Sequence, residues 1–471
     1  MMPSSLRSLA MLCLGLAALA PVPRRTEAQA AVNWTVAGDE ATRLLADYLR
    51  IDNTNPPGNE PAAATFLRGM LEREGIPVEV FTPAAGKANL IARLTGRGGK
   101  RPIILLHHMD VVGASREYWS VDPFGGVVKD GYVWGRGAID TKGLGIAQLV
   151  ALLTLKRQGI TLERDVLYVA TSDEEIGGVL GAGDVAKNHR AALRNAEYVL
   201  NEGGSIVADS SGRTLYYGIT AAEKAPFWLE VIARGLPGHG SAPRPETAPN
   251  RLVRALERVR NWQTPITVTP PVEAYFRAIA PTARPDLRSL LSDIRGTARD
   301  AAALARVTAV PGYNALLRNT ISITVLQGSS KTNVIPPEAR AQLDVRLLPG
   351  QTQEGFLAEL RRVIADDSVE VKPLGIGWPA PVSSTDNAFF RAIATVAQRL
   401  EPGARIAPLV QAGFTDCHYF LELGMSCYGL APFRLSDVEM RGLHGNDERL
   451  STENLRYGTR FIYELLQEVG R

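Results

Sequence analysis

Six side chains in this sequence have the types and settings that divalent-metal hydrolysis requires, spread over more than three hundred positions. The first setting is Leu105-Leu106-His107-His108-Met109-Asp110, an apolar strand that runs out into His-x-Asp. Residues two apart on a strand share a face, so the Asp110 carboxylate can hold the His108 imidazole in the tautomer that a metal ion needs. The same alternation turns His107 to the other face, where it reads as structural. A second setting, Trp134-Gly135-Arg136-Gly137-Ala138-Ile139-Asp140-Thr141-Lys142-Gly143, opens a helix. Its glycines let the backbone carry the Asp140 carboxylate close to another group, although taken alone Asp140 would also serve as an ordinary helix cap. In Thr171-Ser172-Asp173-Glu174-Glu175-Ile176-Gly177-Gly178 two adjacent glutamates stand at a strand end, where one can bind metal while the other handles protons. Leu200-Asn201-Glu202-Gly203-Gly204 adds an acid at another strand end, and Leu443-His444-Gly445-Asn446-Asp447-Glu448 adds a late histidine. Together His108, Asp140, Glu175, Glu202 and His444 supply two divalent ions with one histidine and one acid each plus a bridging carboxylate, leaving Glu174 spare. With no thiolate in the set, zinc is favoured, and cobalt or manganese could substitute.

The elements that must position these groups follow from periodicity. Ala41–Ile51 and Ala62–Glu74 have helical spacing, and Val78–Phe81, Asn89–Leu94, Ile103–Leu106, Val166–Ala170 and Tyr198–Leu200 are short β-rich runs. Helical segments lie between several of them, which predicts an α/β fold with a mostly parallel sheet flanked by helices. Ligands in such sheets bind at the carboxyl ends of the strands, where the polar residues crowd here. Around Gly218 the grammar changes: Phe227–Ala233, Thr320–Gln327 and Ala341–Leu347 read as strands, and Pro249–Trp262 and Gln353–Ala365 as helices. A strand-helix-strand-strand-helix-strand order predicts a small inserted α+β unit of ferredoxin-like type. The Pro- and Arg-rich stretch from Pro270 to Arg318 receives no role from its pattern. After Val371 the first pattern returns, with a helix at Asn387–Leu400, a turn at Gly413-Phe414-Thr415-Asp416, a strand at Met425–Leu430 and a final helix at Thr452–Val469. The expected division is a leader at 1–30, a catalytic domain at 31–218 and 374–471, and the insertion at 219–373.

Composition narrows the partners. The chain has 471 residues, 45% hydrophobic and 21% charged, with a net charge of +3, so it lacks the broad basic field that tracks a phosphate backbone. Nucleic acid is not an expected partner. Arg7, the apolar run Leu9–Ala20 and Ala28-Gln29-Ala30 read as a signal peptide cleaved after about Ala30, which predicts a secreted or periplasmic protein. The run is too short for a stable membrane anchor, and Leu12 before Cys13 argues against lipid attachment. Cys417 and Cys427 then remain, either bridged or as two buried thiols.

In their order and spacing these motifs resemble the co-catalytic zinc metallopeptidase family of glutamate carboxypeptidase, aminoacylase, succinyl-diaminopimelate desuccinylase and acetylornithine deacetylase. The opening Asp52-Asn53-Thr54-Asn55-Pro56-Pro57-Gly58-Asn59-Glu60 is most similar to its carboxypeptidase-S-like branch. The resemblance implies two zinc ions, one on His108 and Glu202 and the other on Glu175 and His444, with Asp140 bridging through a cis peptide to Thr141. It implies Glu174 as general base and makes the insertion a lid, whose His239 in Gly238-His239-Gly240-Ser241 polarises the scissile carbonyl. Asn333 and Arg346 would hold the substrate's carboxylate side, and Gly413 and Thr415 would border the specificity pocket, narrowed by Phe414 where the family has glycine. The implied activity is hydrolysis of peptides with a free carboxylate, in carboxypeptidase or dipeptidase fashion; the alternative is deacylation of N-acyl amino acids on the same centre. The resemblance also leaves two assemblies open, a homodimer through the lid domain or a monomer with an elongated lid. Two rivals carry less. All six chemical positions are present, against a catalytically dead metal-binding protein, and Arg136 and Lys142 alone are thin support for a two-metal phosphoesterase.

Overall fold

Short apolar runs bounded by turn residues build β1 (Val78–Phe81), β2 (Asn89–Leu94), β3 (Ile103–His108), β4 (Val166–Thr171), β5 (Tyr198–Ala208) and β6 (Thr214–Glu223). Strands β7 (Ala225–Arg234), β8 (Thr320–Gln327), β9 (Glu338–Leu347) and β10 (Val369–Gly377) follow, then β11 (Ile406–Gln411) and β12 (Ser426–Leu435). The computed structural model describes residues 31–471, so the expected leader at 1–30 lies outside the described residues. Asn33–Arg471 forms one compact unit.

The first sheet has eight strands in the order β1-β2-β4-β3-β5-β12-β6-β11. Its pairs β4–β3, β3–β5, β5–β12 and β6–β11 are parallel, while β1–β2, β2–β4 and the meetings of β6 with β5 and β12 are antiparallel. This is a mixed α/β fold with a mostly parallel centre. β3 and β4 are buried at every position, as strands covered on both faces must be. The helix Lys142–Arg157 is apolar almost all round and buried from Lys142 to Leu155, the mark of a helix enclosed on every side. It presses onto β3 at Gly145, where a Cβ would stand 2.3 Å from the His107 ring; glycine is what permits that approach.

The inserted sheet is antiparallel in the order β8-β9-β7-β10. β9 alternates strictly between buried and half-buried residues, and its buried face packs on the helices Ala248–Asn261 and Gln353–Ile364, which is the ferredoxin-like arrangement.

Two of the expected boundaries shift. The insertion does not begin at 219, because β6 pairs in the first sheet through Glu223, and β7 enters the second sheet at Ala225. Only Lys224 separates two apolar strands, so no turn chemistry marks the switch between sheets. At the other end β10 continues to Gly377, past the expected break at 373, and the first sheet is rejoined where Ser383 donates its amide to Ala221 at 2.7 Å. The stretch 270–318 is not part of the lid core either. Its helices, among them Pro270–Ile279 and Pro311–Leu317, bury Val272, Phe276, Leu291 and Leu317 against Ala222, Ala407 and Val410 of β6 and β11. They cover the outer strand of the first sheet, a position that would otherwise invite pairing with another chain.

Cys417 and Cys427 are bridged, joining the helix Cys417–Glu422 to the start of β12 and resolving the alternative that the sequence left open. Replacing both cysteines by alanine should lower stability by about 2–4 kcal/mol through the freed unfolded chain. Urea unfolding checks this, with dithiothreitol producing a matching loss in the parent protein. Among the described residues no helix is long and apolar enough to cross a membrane.

Candidate metal centre

Three adjacent parallel strands deliver the first ligands. β3 ends at His108, level with Thr171 at the end of β4, and β5 on the other side carries Glu202 two residues beyond Leu200, the partner of Leu105. The chain leaving β4 turns at Asp173, whose φ is +73°, into the short 3-10 turn Glu174–Ile176. That unusual backbone is tied down by a buried network. Lys87 Nζ lies 3.0 Å from Asp173 Oδ1 and 3.4 Å from Glu60 Oε1, and it donates to Asn55 Oδ1 at 2.7 Å.

His108 is held from behind. Its Nδ1 stands 2.9 Å from the Asp110 carbonyl and 3.6 Å from Asp110 Oδ1, which leaves Nε2 facing Asp140 Oδ1 at 3.0 Å, Glu202 Oε1 at 3.5 Å and Glu174 Oε2 at 4.0 Å. Asp110 does a second job, since its carboxylate accepts the amides of Glu174 and Glu175, both at 3.2 Å, and the Asn55 side chain at 2.7 Å. His107 lies on the other face against Tyr168, and burial drops its imidazole to about 3, so it stays neutral.

Asp140 precedes the cap residue Thr141, whose side chain makes no capping bond; the peptide between them is cis. Its two oxygens face in two directions, Oδ1 toward His108 and Oδ2 toward His444 Nε2, each at 3.0 Å. His444 Nε2 also stands 3.3 Å from Glu175 Oε2. The arrangement is therefore two histidine-carboxylate groups joined by one aspartate. Compact sets of donors able to hold an ion are His108 with Glu174 and Glu202, and His108 with Asp140 and Glu175.

These residues fit a pair of divalent ions. Burial and then Glu202 hold the Glu174 carboxyl well above its ordinary range, and burial and then Asp140 do the same to Glu202. Asp140 and then Glu175 push His444 up to about 10. So many acids in one pocket call for positive charge, and the buried Glu175 Oε1 has no hydrogen-bond partner. Oxygen and imidazole donors without thiolate suit hard or borderline dications.

A cavity of about 450 Å³ opens above the cluster. Asp140, Glu174, Glu175, Glu202 and His444 line one side; Trp228, Phe414, Leu435, Met440 and Leu443 give it an apolar wall, and Arg346 and Gly413 reach it too. The Arg346 guanidinium lies 5.0 Å above the Phe414 ring and pairs with Asp344 at 2.7 Å. Phe414 thus lines the cavity and carries its Arg346. Thr415 does not border the cavity as expected. Its hydroxyl donates to Glu223 Oε1 at 2.7 Å and its amide to Oε2 at 3.1 Å, which turns the side chain into the protein. His239 and Asn333 are not brought to the cluster. Both are exposed at the two-stranded ribbon Gly238–His239 and Val334–Ile335, His239 Nδ1 bonding Ser241 at 2.8 Å and the Asn333 carbonyl accepting from Gly240 at 2.8 Å.

The cations considered for phosphate chemistry are used elsewhere. Lys142 Nζ is buried on Asn53 Oδ1 at 2.6 Å and the Ile51 carbonyl at 2.7 Å, and Arg136 is paired with Glu448 at 2.6 Å. Glu448 was visible in the late histidine motif but showed no role there; Trp228, Met440 and Leu443 had no signal beyond an apolar pattern.

Residues 104–468 match the family described as peptidase family M20/M25/M40. The chain is 31% identical over 373 residues to an N-fatty-acyl-amino acid synthase/hydrolase PM20D1 of Xenopus tropicalis, covering 78% of this chain and 72% of that protein. It is 30% identical over 380 residues to a probable carboxypeptidase S-like 2 of Dictyostelium discoideum, covering 79% and 72%. In structure it is similar to an M20 family metallo-carboxypeptidase from Sulfolobus solfataricus, with a TM-score of 0.71 at 17% identity over 91% of this chain and 99% of the other.

Proposed function

This chain belongs to the peptidase family M20/M25/M40, and from that premise we propose that it hydrolyses amide bonds of small substrates carrying a free carboxylate, using two zinc ions. The observation that carries the proposal is the two-sided Asp140, with a histidine 3.0 Å from each oxygen, beneath a cavity holding Arg346. His108 and Glu202 would hold one ion, Glu175 and His444 the other, and Asp140 both. Bound there, the ions supply an activated water and polarise the scissile carbonyl. Glu174 takes the proton of the attacking water and returns it to the leaving nitrogen, and Asp110 keeps both His108 and the Glu174–Glu175 turn in place. Arg346 binds the substrate carboxylate. His239 acts on the carbonyl oxygen only once its ribbon swings over the cavity.

The main reading is carboxypeptidase or dipeptidase action. The apolar wall of Trp228, Phe414, Leu435, Met440 and Leu443 favours the second reading, release of an apolar acyl group from an N-acyl amino acid, in keeping with the name of the Xenopus relative. Zinc-loaded protein assayed for amine release on a panel of dipeptides and N-acyl amino acids separates the two; no release from either class overturns the proposal. Arg346→Met should raise KM about 10- to 100-fold, the worth of a charged hydrogen bond, with kcat little changed. Substrates whose carboxylate is amidated should show no such difference, and an equal loss on both would remove Arg346 from carboxylate binding.

The remaining expectations stand as parts of the same proposal. Export through the leader is supported by the disulfide, which suits an oxidising compartment. A homodimer through the lid is supported by β8, which among the described residues pairs on one side only, with β9, and exposes Leu326 at 67%. The charge balance of +3 supports a small molecule over nucleic acid as partner.

A further inference from the structure

We propose that the buried Arg136–Glu448 pair is a positioning device that sets Asp140 and His444 relative to each other, and so governs the half of the metal centre that depends on them. The inference rests on the metal-centre reading above. Glu448 is completely buried and Arg136 is 2% exposed. One Glu448 oxygen accepts the amides of Ile139 at 2.7 Å and Asp140 at 3.1 Å; the other accepts the amide of Gly137 at 3.0 Å and Arg136 Nη1 at 2.6 Å. Its carboxylate is the common acceptor for the loop that presents Asp140. Arg136 then continues the link, since its Nη2 donates at 2.6 Å to the carbonyl of Gly445, the residue after His444. Its guanidinium rests 5.3 Å from the Trp119 ring.

The loop needs such a clamp. Residues 135–141 form neither strand nor helix, and Gly137 has a φ of +92° with Val111 only 2.8 Å from where a Cβ would lie. On the other side His444 itself has a φ of +55°, and its side chain is 52% exposed, so packing does little to hold it. Two strained segments more than three hundred residues apart thus share one buried ion pair. A buried pair of this kind is weak evidence for stability; its geometric use here is the organisation of two ligands. Neither residue touches the reacting atoms, so both act through Asp140 and His444.

The test is cobalt(II) titration of metal-free protein, followed by the visible absorption of the bound ion and by the metal content retained after dialysis. Parent protein is expected to take up two ions. Glu448→Gln sets an amide N–H against one of the two donor pairs, Arg136 and Gly137 or Ile139 and Asp140, and is expected to weaken one of the two ions about 10- to 100-fold, the usual effect of losing an outer partner, and to change the cobalt spectrum. Arg136→Lys keeps the charge beside Glu448 but forfeits the fork that spans to Gly445, and is expected to give the same loss in milder form. Asp165→Asn breaks a different buried contact, to Arg93 and Gly96 at the far end of β4, and controls for general loosening. It is expected to lower the melting temperature while keeping both ions. Two ions at parent affinity in both pair variants overturn the inference alone, as does equal metal loss in Asp165→Asn. A parent protein that binds no metal overturns the metal-centre reading as well.

Discussion

Glu174→Gln should lower turnover by about 10²- to 10⁴-fold, the range for losing a general acid-base group, while the protein still binds two metal ions. Glutamine keeps the shape and size of the side chain and removes only its capacity to take and return a proton. The position suits the role. Glu174 is buried, its amide is fixed by Asp110 at 3.2 Å, and its carboxylate lies at the cavity floor, 4.0 Å from His108 Nε2. Burial and then Glu202 raise its proton affinity well above that of an ordinary glutamate, a strain that the two dications proposed here would relieve. The measurement is kcat together with metal content on the same sample. Because Glu174 also lies within ligand distance of His108 and Glu202, loss of metal along with activity would make it a ligand, and near-parental turnover would remove it from catalysis.

Asp140→Asn should be more severe, abolishing metal binding at both positions and taking activity to background. Its two carboxylate oxygens each stand 3.0 Å from a different histidine, and an amide offers one oxygen where two are needed and turns N–H donors toward the other side. Outer partners of a metal ligand are worth about 10- to 100-fold in affinity, so removal of a shared ligand should exceed that. Zinc should raise the melting temperature of the parent protein by binding its folded form and leave the variant unmoved. A variant that retains both ions after dialysis would rule out Asp140 as the bridge.

The contrast between these two variants separates proton transfer from metal binding, which the cluster merges in space. It also bears on Phe414. That ring supports Arg346 and meets Trp378 edge-on at 5.1 Å, so a change at Phe414 acts on the Arg346 end of the cavity rather than on the metal cluster. The side chain that anchors the neighbouring Thr415, Glu223, closes β6 at the junction of the two sheets, linking the cavity rim to the base of the lid.

Most of the chemistry was legible along the chain because each group sits in a local setting that announces itself. His108 ends a continuous apolar strand, the glutamates 174 and 175 follow another, and Asp140 precedes a helix after two glycines. Strand ends and helix starts depend on neighbours within a few residues, so alternation and turn chemistry suffice to place them. The lid was legible in the same way through the alternation of β9, and its boundary was not, because β6 and β7 are both apolar and a single residue separates them.

What the amino-acid sequence determined by itself was the inventory: which donors exist, which strand or helix end each occupies, and that their types suit divalent ions and amide hydrolysis. Tertiary structure alone decided how they meet. The order β4-β3-β5 sets His108 between Glu174 and Glu202, and Arg136 and Glu448 join two loops that no local pattern connects. The same holds for the Cys417–Cys427 bridge, for the inward turn of Thr415, and for His239 standing outside the cavity. The physical reason is that periodicity records each residue's immediate environment, whereas distances of about 3 Å between residues hundreds of positions apart depend on sheet order, packing and the posture of the lid.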